Sequence, residues 1–194
     1  VTILSGTKLG HYCEEKPMSI TVKRILSLAL LIMAGLCTAN AQDKPKNPGD
    51  CPGKNGLMAS EISVLLAAHN KIRTELHLPL LTWNCKLADY AQEWATRGVF
   101  EHRESTDFGE NIFVATSPRI AAVMAIRKWF SEKPFWDNRE ATCHKGKVCG
   151  HYTQLVWRTT TEFGCGVNRN TRGEFKTLLV CNYNPAGNSD GPAY

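Results

Sequence analysis

Residues Phe163–Tyr183 read FGCGVNRNTRGEFKTLLVCNY. Small and apolar residues dominate FGCGV, a polar run NRNTRG follows, and apolar residues return in EFKTLLVCNY. That order predicts strand, turn, strand. Upstream, the period is helical. Ile62, Leu65, Leu66, His69, Ile72 and Leu76 recur on one helix face, with Ser60 placed to cap the helix and Pro79 to end it. Asn84 opens a second helix, with Leu87, Ala91, Trp94 and Ala95 on one face and Gly98 as its stop. Ser117-Pro118 predicts the start of a third, an N-cap followed by proline at the first helical position. That helix runs through Val123 and Trp129 and stops before Pro134. Helices first and a hairpin late predict an α+β fold, with helices covering a small antiparallel sheet.

The chain has 194 residues and a net charge of +5. Residues 1–17 have no targeting character and read as a non-native upstream extension, with Met18 as the natural start. Residues 18–41 read as a secretory signal peptide: Lys23 and Arg24, an apolar run from Ile25 to Leu36, then Ala39-Asn40-Ala41. The apolar run is too short for a comfortable membrane span. Residues 42–57 form a Pro/Gly/Lys-rich extended segment, and 58–194 the folded domain. Without the leader the charge falls to about +3. The absence of any basic run argues against nucleic acid as a partner.

Past the leader stand Cys51, Cys85, Cys143, Cys149, Cys165 and Cys181. An even set in an exported chain predicts disulfides rather than a zinc cluster, since no pair of C-x2-C motifs exists. Cys143 and Cys149 flank a short loop, and Cys165 and Cys181 sit on the two expected strands. Cys51 with Cys85 is what remains.

His69 lies on the apolar stripe of the first helix and reads as a core residue. His102 and His151 do not fit such a stripe, and neither do Glu110, within FGENIF, or Glu132, set among aromatics in WFSEKPFW. Two histidines and two glutamates from separate segments are chemically capable of holding a divalent cation or of general acid–base chemistry. Spacing alone is a weak signal and favours surface or core filling.

Four ordered motifs carry a resemblance. HNKIR (69–73), GENI (109–112), GHYTQLVWRTT (150–160) and LVCNYNPAGN (179–188) resemble the CAP superfamily, and within it the plant pathogenesis-related 1 type, over about residues 58–194. The resemblance implies a secreted, disulfide-bonded three-layer α-β-α sandwich. It also implies a cleft tetrad of His102, Glu110, Glu132 and His151 whose histidines can hold a divalent cation, often zinc, in related proteins. His69 and Asn70 would be structural, Asn70 bridging backbone groups. The pairs Cys143–Cys149 and Cys165–Cys181 fit the family. RESTD (103–107) stands where plant relatives carry a Gly-rich loop. A cysteine usual in plant members is missing here, so the third disulfide is expected to be rewired.

Functionally the resemblance implies binding of sterols or related small lipids, with a defence or antimicrobial role. Trp129, Phe130, Phe135 and Trp136 are the candidate lipid contacts. Each also reads as core. The alternatives are a metal-dependent hydrolase using the tetrad, although HExxH and GxSxG are absent, and a signalling peptide, Pro185–Tyr194, released to a protein receptor. Against release, Asn184 replaces the usual aspartate and Ala193 a proline, and a terminal tail is ordinarily just mobile.

Overall fold

The computed structural model describes Cys51, residues 55–119 and residues 121–194. The expected extension, the signal peptide and most of the extended segment lie outside the described residues. The elements run α1 (Ala59–Glu75), β1 (Thr82–Trp83), α2 (Cys85–Arg97), β2 (Gly109–Ala115) and α3 (Val123–Phe130). After a 3-10 turn (Lys133–Phe135) come β3 (Trp136–Asp137), β4 (Thr142–Cys143), α4 (Gly150–Leu155), β5 (Glu162–Asn168) and β6 (Thr177–Asn184). The expected hairpin is β5–β6, paired antiparallel with Cys165 opposite Cys181. β2 adds antiparallel to β6, and the two-residue β1 adds parallel to β5, giving the order β1-β5-β6-β2. The sheet is thus antiparallel except at one short edge.

Strand alternation divides the core into two layers of contact. Ile112, Leu178 and Val180 meet Ala91 and Ala95 of α2 on one face. Phe163, Cys165, Leu179, Cys181 and Tyr183 meet α1, α3 and α4 on the other. The three-layer α-β-α arrangement follows. The glycines of FGCGV explain how closely α2 approaches. A Cβ on Gly164 would stand 2.3 Å from the Ala88 nitrogen, and one on Gly166 would stand 2.4 Å from the Gln92 backbone. Any larger residue would push the helix off the sheet.

Local chemistry sets the helix ends. Asn84 Oδ1 accepts the amides of Lys86 and Leu87 at 2.8 and 3.1 Å, and Gly98 closes α2 in the left-handed region at φ 72°. α1 begins before Ser60: its N-cap is Met58, whose amide donates to the Glu61 carboxylate at 3.0 Å. α3 begins later than Ser117-Pro118 predicts. Ser117 Oγ accepts the Arg119 amide at 3.2 Å, closing a turn on itself, and the helix starts only at Val123. Neither β2 nor α4 shows a clear period in the sequence.

All three expected disulfides form: Cys51–Cys85, Cys143–Cys149 and Cys165–Cys181. His69 and Asn70 are structural, as the resemblance implies. His69 is fully buried, with Nδ1 donating to Leu65 O at 2.8 Å and Nε2 accepting from the Tyr183 hydroxyl at 3.0 Å. Asn70 brackets Leu81, donating to its carbonyl at 2.9 Å and accepting its amide at 2.8 Å. The segment after β6 is not a free tail. The Gly187 amide donates to Gln154 Oε1 at 2.9 Å and Thr153 Oγ1 to Asn188 Oδ1 at 2.6 Å. Ala193 is buried, and its carbonyl accepts the Arg158 amide at 2.8 Å.

Candidate functional site

The four tetrad residues form two histidine–glutamate dyads. Glu110 lies on β2, on the same strand face as Ile112, and therefore beneath α2. Its Oε1 meets His102 Nδ1 at 2.9 Å and accepts the Arg103 amide at 3.1 Å. Glu132 follows α3. Its Oε1 meets His151 Nδ1 at 2.7 Å, and its Oε2 accepts the amides of His151 and Tyr152, both at 3.1 Å. This second carboxylate therefore also neutralises the amino end of α4. A carboxylate on Nδ1 draws the ring proton there and leaves Nε2 with its lone pair.

The dyads bracket the edge strand β2. Glu110 carries the first, while its neighbour Asn111, pointing to the opposite face, donates to His151 O at 3.0 Å. His151 lies parallel to Trp129, ring centroids 6.1 Å apart. The carboxylates are shielded and the imidazoles less so: side-chain exposure is 65% for His102 against 4% for Glu110, and 29% for His151 against 13% for Glu132. The His102 pKa is raised, first by its hydrogen bond to Glu110 and further by that residue's charge, with burial opposing. Among the described residues no three or more His, Cys, Asp or Glu side chains converge as a metal cluster. The strand face that separates Glu110 from Asn111 accounts for the grouping in twos.

Two cavities lie near these residues, one bounded in part by His102 and the other reaching Gly150, beside His151 in the chain. One, of about 520 Å³, is bounded by Tyr90, Trp94, Arg97, His102, Arg103 and Ser105. Arg103 stacks there over Tyr90 at 3.6 Å and Arg97 over Trp94 at 4.6 Å, so cations cover the aromatic faces. The other, of about 350 Å³, lies between the β3–β4 hairpin, α4 and the C-terminal segment. Trp136, Trp157, Thr153, Asn188 and both ends of the Cys143–Cys149 disulfide line it.

Of the four candidate lipid contacts, only Trp136 lines this cavity. Trp129 is a core residue, 1% exposed, with its indole N–H donating to Ile112 O at 3.2 Å. Phe130 and Phe135 are half-buried: Phe130 packs edge-on to Tyr152 and lies under Lys133, and Phe135 lies under Lys147. Sequence reasoning missed Trp157, and it also missed Arg73, which is fully buried with no carboxylate partner among the described residues. Arg73 Nε donates to Pro79 O at 2.6 Å, and its terminal nitrogens donate to Leu155 O, Trp157 O and Thr160 O at 3.2, 2.9 and 3.0 Å. Its position four residues after His69 on one helix face was the available signal.

The sequence profile of the cysteine-rich secretory protein family (CAP) matches residues 66–183. Pathogenesis-related protein 1A of Nicotiana tabacum is 36% identical over 132 residues, 65% of this chain and 76% of that protein. Pathogenesis-related protein PRMS of Zea mays is 39% identical, over 65% of this chain and 77% of its own. Among solved structures, BmVAL-1 superposes with a TM-score of 0.65 at 26% identity, covering 75% of this chain and 86% of that one. NaASP2 with Zn2+ gives 0.61 at 25% identity, covering 73% and 87%.

Proposed function

Because the chain belongs to the cysteine-rich secretory protein (CAP) family, we propose that it is an exported, defence-type protein that binds a sterol or related small lipid. The cavity of about 350 Å³ between α4 and the β3–β4 hairpin carries this reading. Its volume falls in the range of small-molecule sites, and two indoles with a disulfide supply its apolar part, beside Lys147, Ser189 and Asp190. Thr153 and Asn188 supply polar atoms for a hydroxyl-bearing ligand. Three disulfides support export to an oxidising compartment. No helix of the described residues is long and apolar enough to cross a membrane.

The dyads fit a divalent cation in donor chemistry. Each dyad offers one imidazole Nε2 as a ligand atom, on His102 and on His151, with Glu110 and Glu132 fixing the rings from behind. Bound there, the cation would supply a Lewis-acid centre open to water or ligand. The similar protein NaASP2 was crystallised with Zn2+, which supports a divalent cation as a ligand of this chain too.

Titrating a fluorescent sterol into the oxidised protein, with and without chelator, tests both parts. Saturable binding lost in Trp136→Ala supports the cavity, and binding that survives Trp136→Ala together with Trp157→Ala would rule it out. Zinc titration followed calorimetrically should lose its signal in His151→Ala.

A further inference from the structure

The loop closed by Cys143–Cys149 concentrates features that neither the dyads nor the cavity explains. Its sequence is CHKGKVC, without an acidic residue. His144, Lys145, Lys147 and Val148 are all exposed, Val148 at 62%. Gly146 marks the tip at φ 73°, with no atom within 4 Å of where a Cβ would stand. The His144 amide donates to Phe135 O at 2.8 Å, which seats the loop on the 3-10 turn. Lys147 Nζ lies 4.9 Å from the Phe135 ring centroid and Lys133 Nζ 5.4 Å from that of Phe130. Three acids flank the loop: Asp137, whose Oδ1 accepts the amides of Arg139 and Glu140 at 2.9 and 3.2 Å, then Glu140, and Asp190 on the far wall of the cavity, against the cations Lys133, Arg139, Lys145 and Lys147.

We propose that this disulfide-closed loop, with Lys133, docks on an anionic lipid surface and brings the mouth of the Trp136 cavity to the headgroups. Cys143, Lys147 and Cys149 belong both to the loop and to the cavity wall, so a bilayer touching the lysines lies against the cavity. Lys133 and Lys147 are exposed although each ammonium lies over an aromatic ring, so their charge stays available to a surface while Val148, next to Lys147 in the chain, enters the interface. The disulfide and the hydrogen bond to Phe135 fix the loop in advance, so little ordering remains to be done on contact. Delivery to the cavity rests on the lipid reading above; docking itself does not.

The test is vesicle flotation of the oxidised protein. Vesicles of phosphatidylcholine alone are compared with vesicles containing about 30% phosphatidylserine, in the range where surface charge attracts basic segments. Partition onto the anionic vesicles should be at least about tenfold higher and should collapse near 0.5 M salt. Lys145→Glu with Lys147→Glu should lower it by about 25-fold or more, each lysine being worth roughly fivefold near such a surface. The matched double change Lys71→Glu with Lys86→Glu, on exposed positions of α1 and α2, should stay within about threefold. Equal partition onto both vesicle types, equal losses in both double variants, or preference for soluble heparin over vesicles would overturn docking. Sterol uptake from solution separates the two readings: Lys145→Glu with Lys147→Glu should retain it. Its absence in the unaltered protein that still floats with anionic vesicles removes the cavity reading and leaves docking intact.

Discussion

Glu132 holds His151 at two points, its Oε1 meeting the ring Nδ1 at 2.7 Å and its Oε2 accepting the main-chain amide at 3.1 Å. The same Oε2 also accepts the Tyr152 amide, so one carboxylate fixes both the imidazole and the start of α4. Glu132→Ala should cost about 2–4 kcal/mol in urea denaturation, since charge-assisted bonds to half-shielded donors are lost together. Glu110→Ala should cost less, about 1–2 kcal/mol, because its imidazole partner is mostly exposed. Equal costs would show that Glu132 does not anchor the helix.

Arg73 ties α1 to the segment that leaves α4. Burial lowers its pKa to about 10, which still leaves it charged at neutral pH. Its acceptors are all carbonyls, from Pro79 to Thr160. Arg73→Met should destabilise by about 3–5 kcal/mol, as buried carbonyls lose their donor. Arg73→Lys should recover only part, since one ammonium cannot span the fork. Full recovery by lysine would reduce the role of Arg73 to charge alone.

His69 gives the fold an acid limit. Its pKa is lowered to about 4, chiefly by burial, with Arg73 adding and the Leu65 carbonyl opposing. The unfolded chain takes up a proton near pH 6.5 that the folded chain refuses until about pH 4. Stability present above pH 6.5 is therefore lost as pH falls through this window, by a total on the order of 3 kcal/mol. His102 works the other way: its raised pKa favours the fold below its unfolded value and the benefit fades as pH rises, weakly because the ring is exposed. Stability measured against pH should slope steeply from 6.5 to 4 in the unaltered protein and flatten there in His69→Gln. An unchanged slope would assign the acid limit to other groups.

What the sequence could reveal was whatever its periods and side-chain caps dictate locally. Asn84 and Gly98 delimit α2 because each acts within its own turn, and the FGCGV alternation survives as β5 because both strand faces are covered. Ser117 misled because its hydroxyl serves equally a helix cap or a short turn, and only the path of the chain decides between them. β2 escaped notice because GENIFVA has no clean alternation: its edge position leaves most residues half-buried. The tetrad was legible as a set through its motifs. Its division into two dyads depends on which face of β2 each side chain takes, which requires the register with β6. Trp129 read from its aromatic neighbours as groove or core, and helical phase turns it into the core.

The final segment is held at both ends, and this bears on peptide release. Asn138 Oδ1 accepts the amides of Ala193 and Tyr194 at 3.0 and 3.2 Å, its Nδ2 donates to Tyr194 O, and the Tyr152 hydroxyl meets that of Tyr194 at 3.1 Å. Nearer β6, Thr160 Oγ1 donates to Pro185 O at 2.9 Å and Asn188 Nδ2 to Gly150 O at 2.9 Å. Cleavage beside Asn184 therefore requires these contacts to open first, and its rate should follow the population of the opened segment. A broad-specificity protease under native conditions should leave residues 185–194 attached for as long as the core survives. Asn138→Ala should speed their loss about tenfold or more, as several local bonds go at once, while Tyr152→Phe should do so less. Mass spectrometry of the digest would show this directly. Loss of the segment from the unaltered protein at the rate of a free peptide would mean that the anchoring does not govern cleavage, and release would then need no opening step.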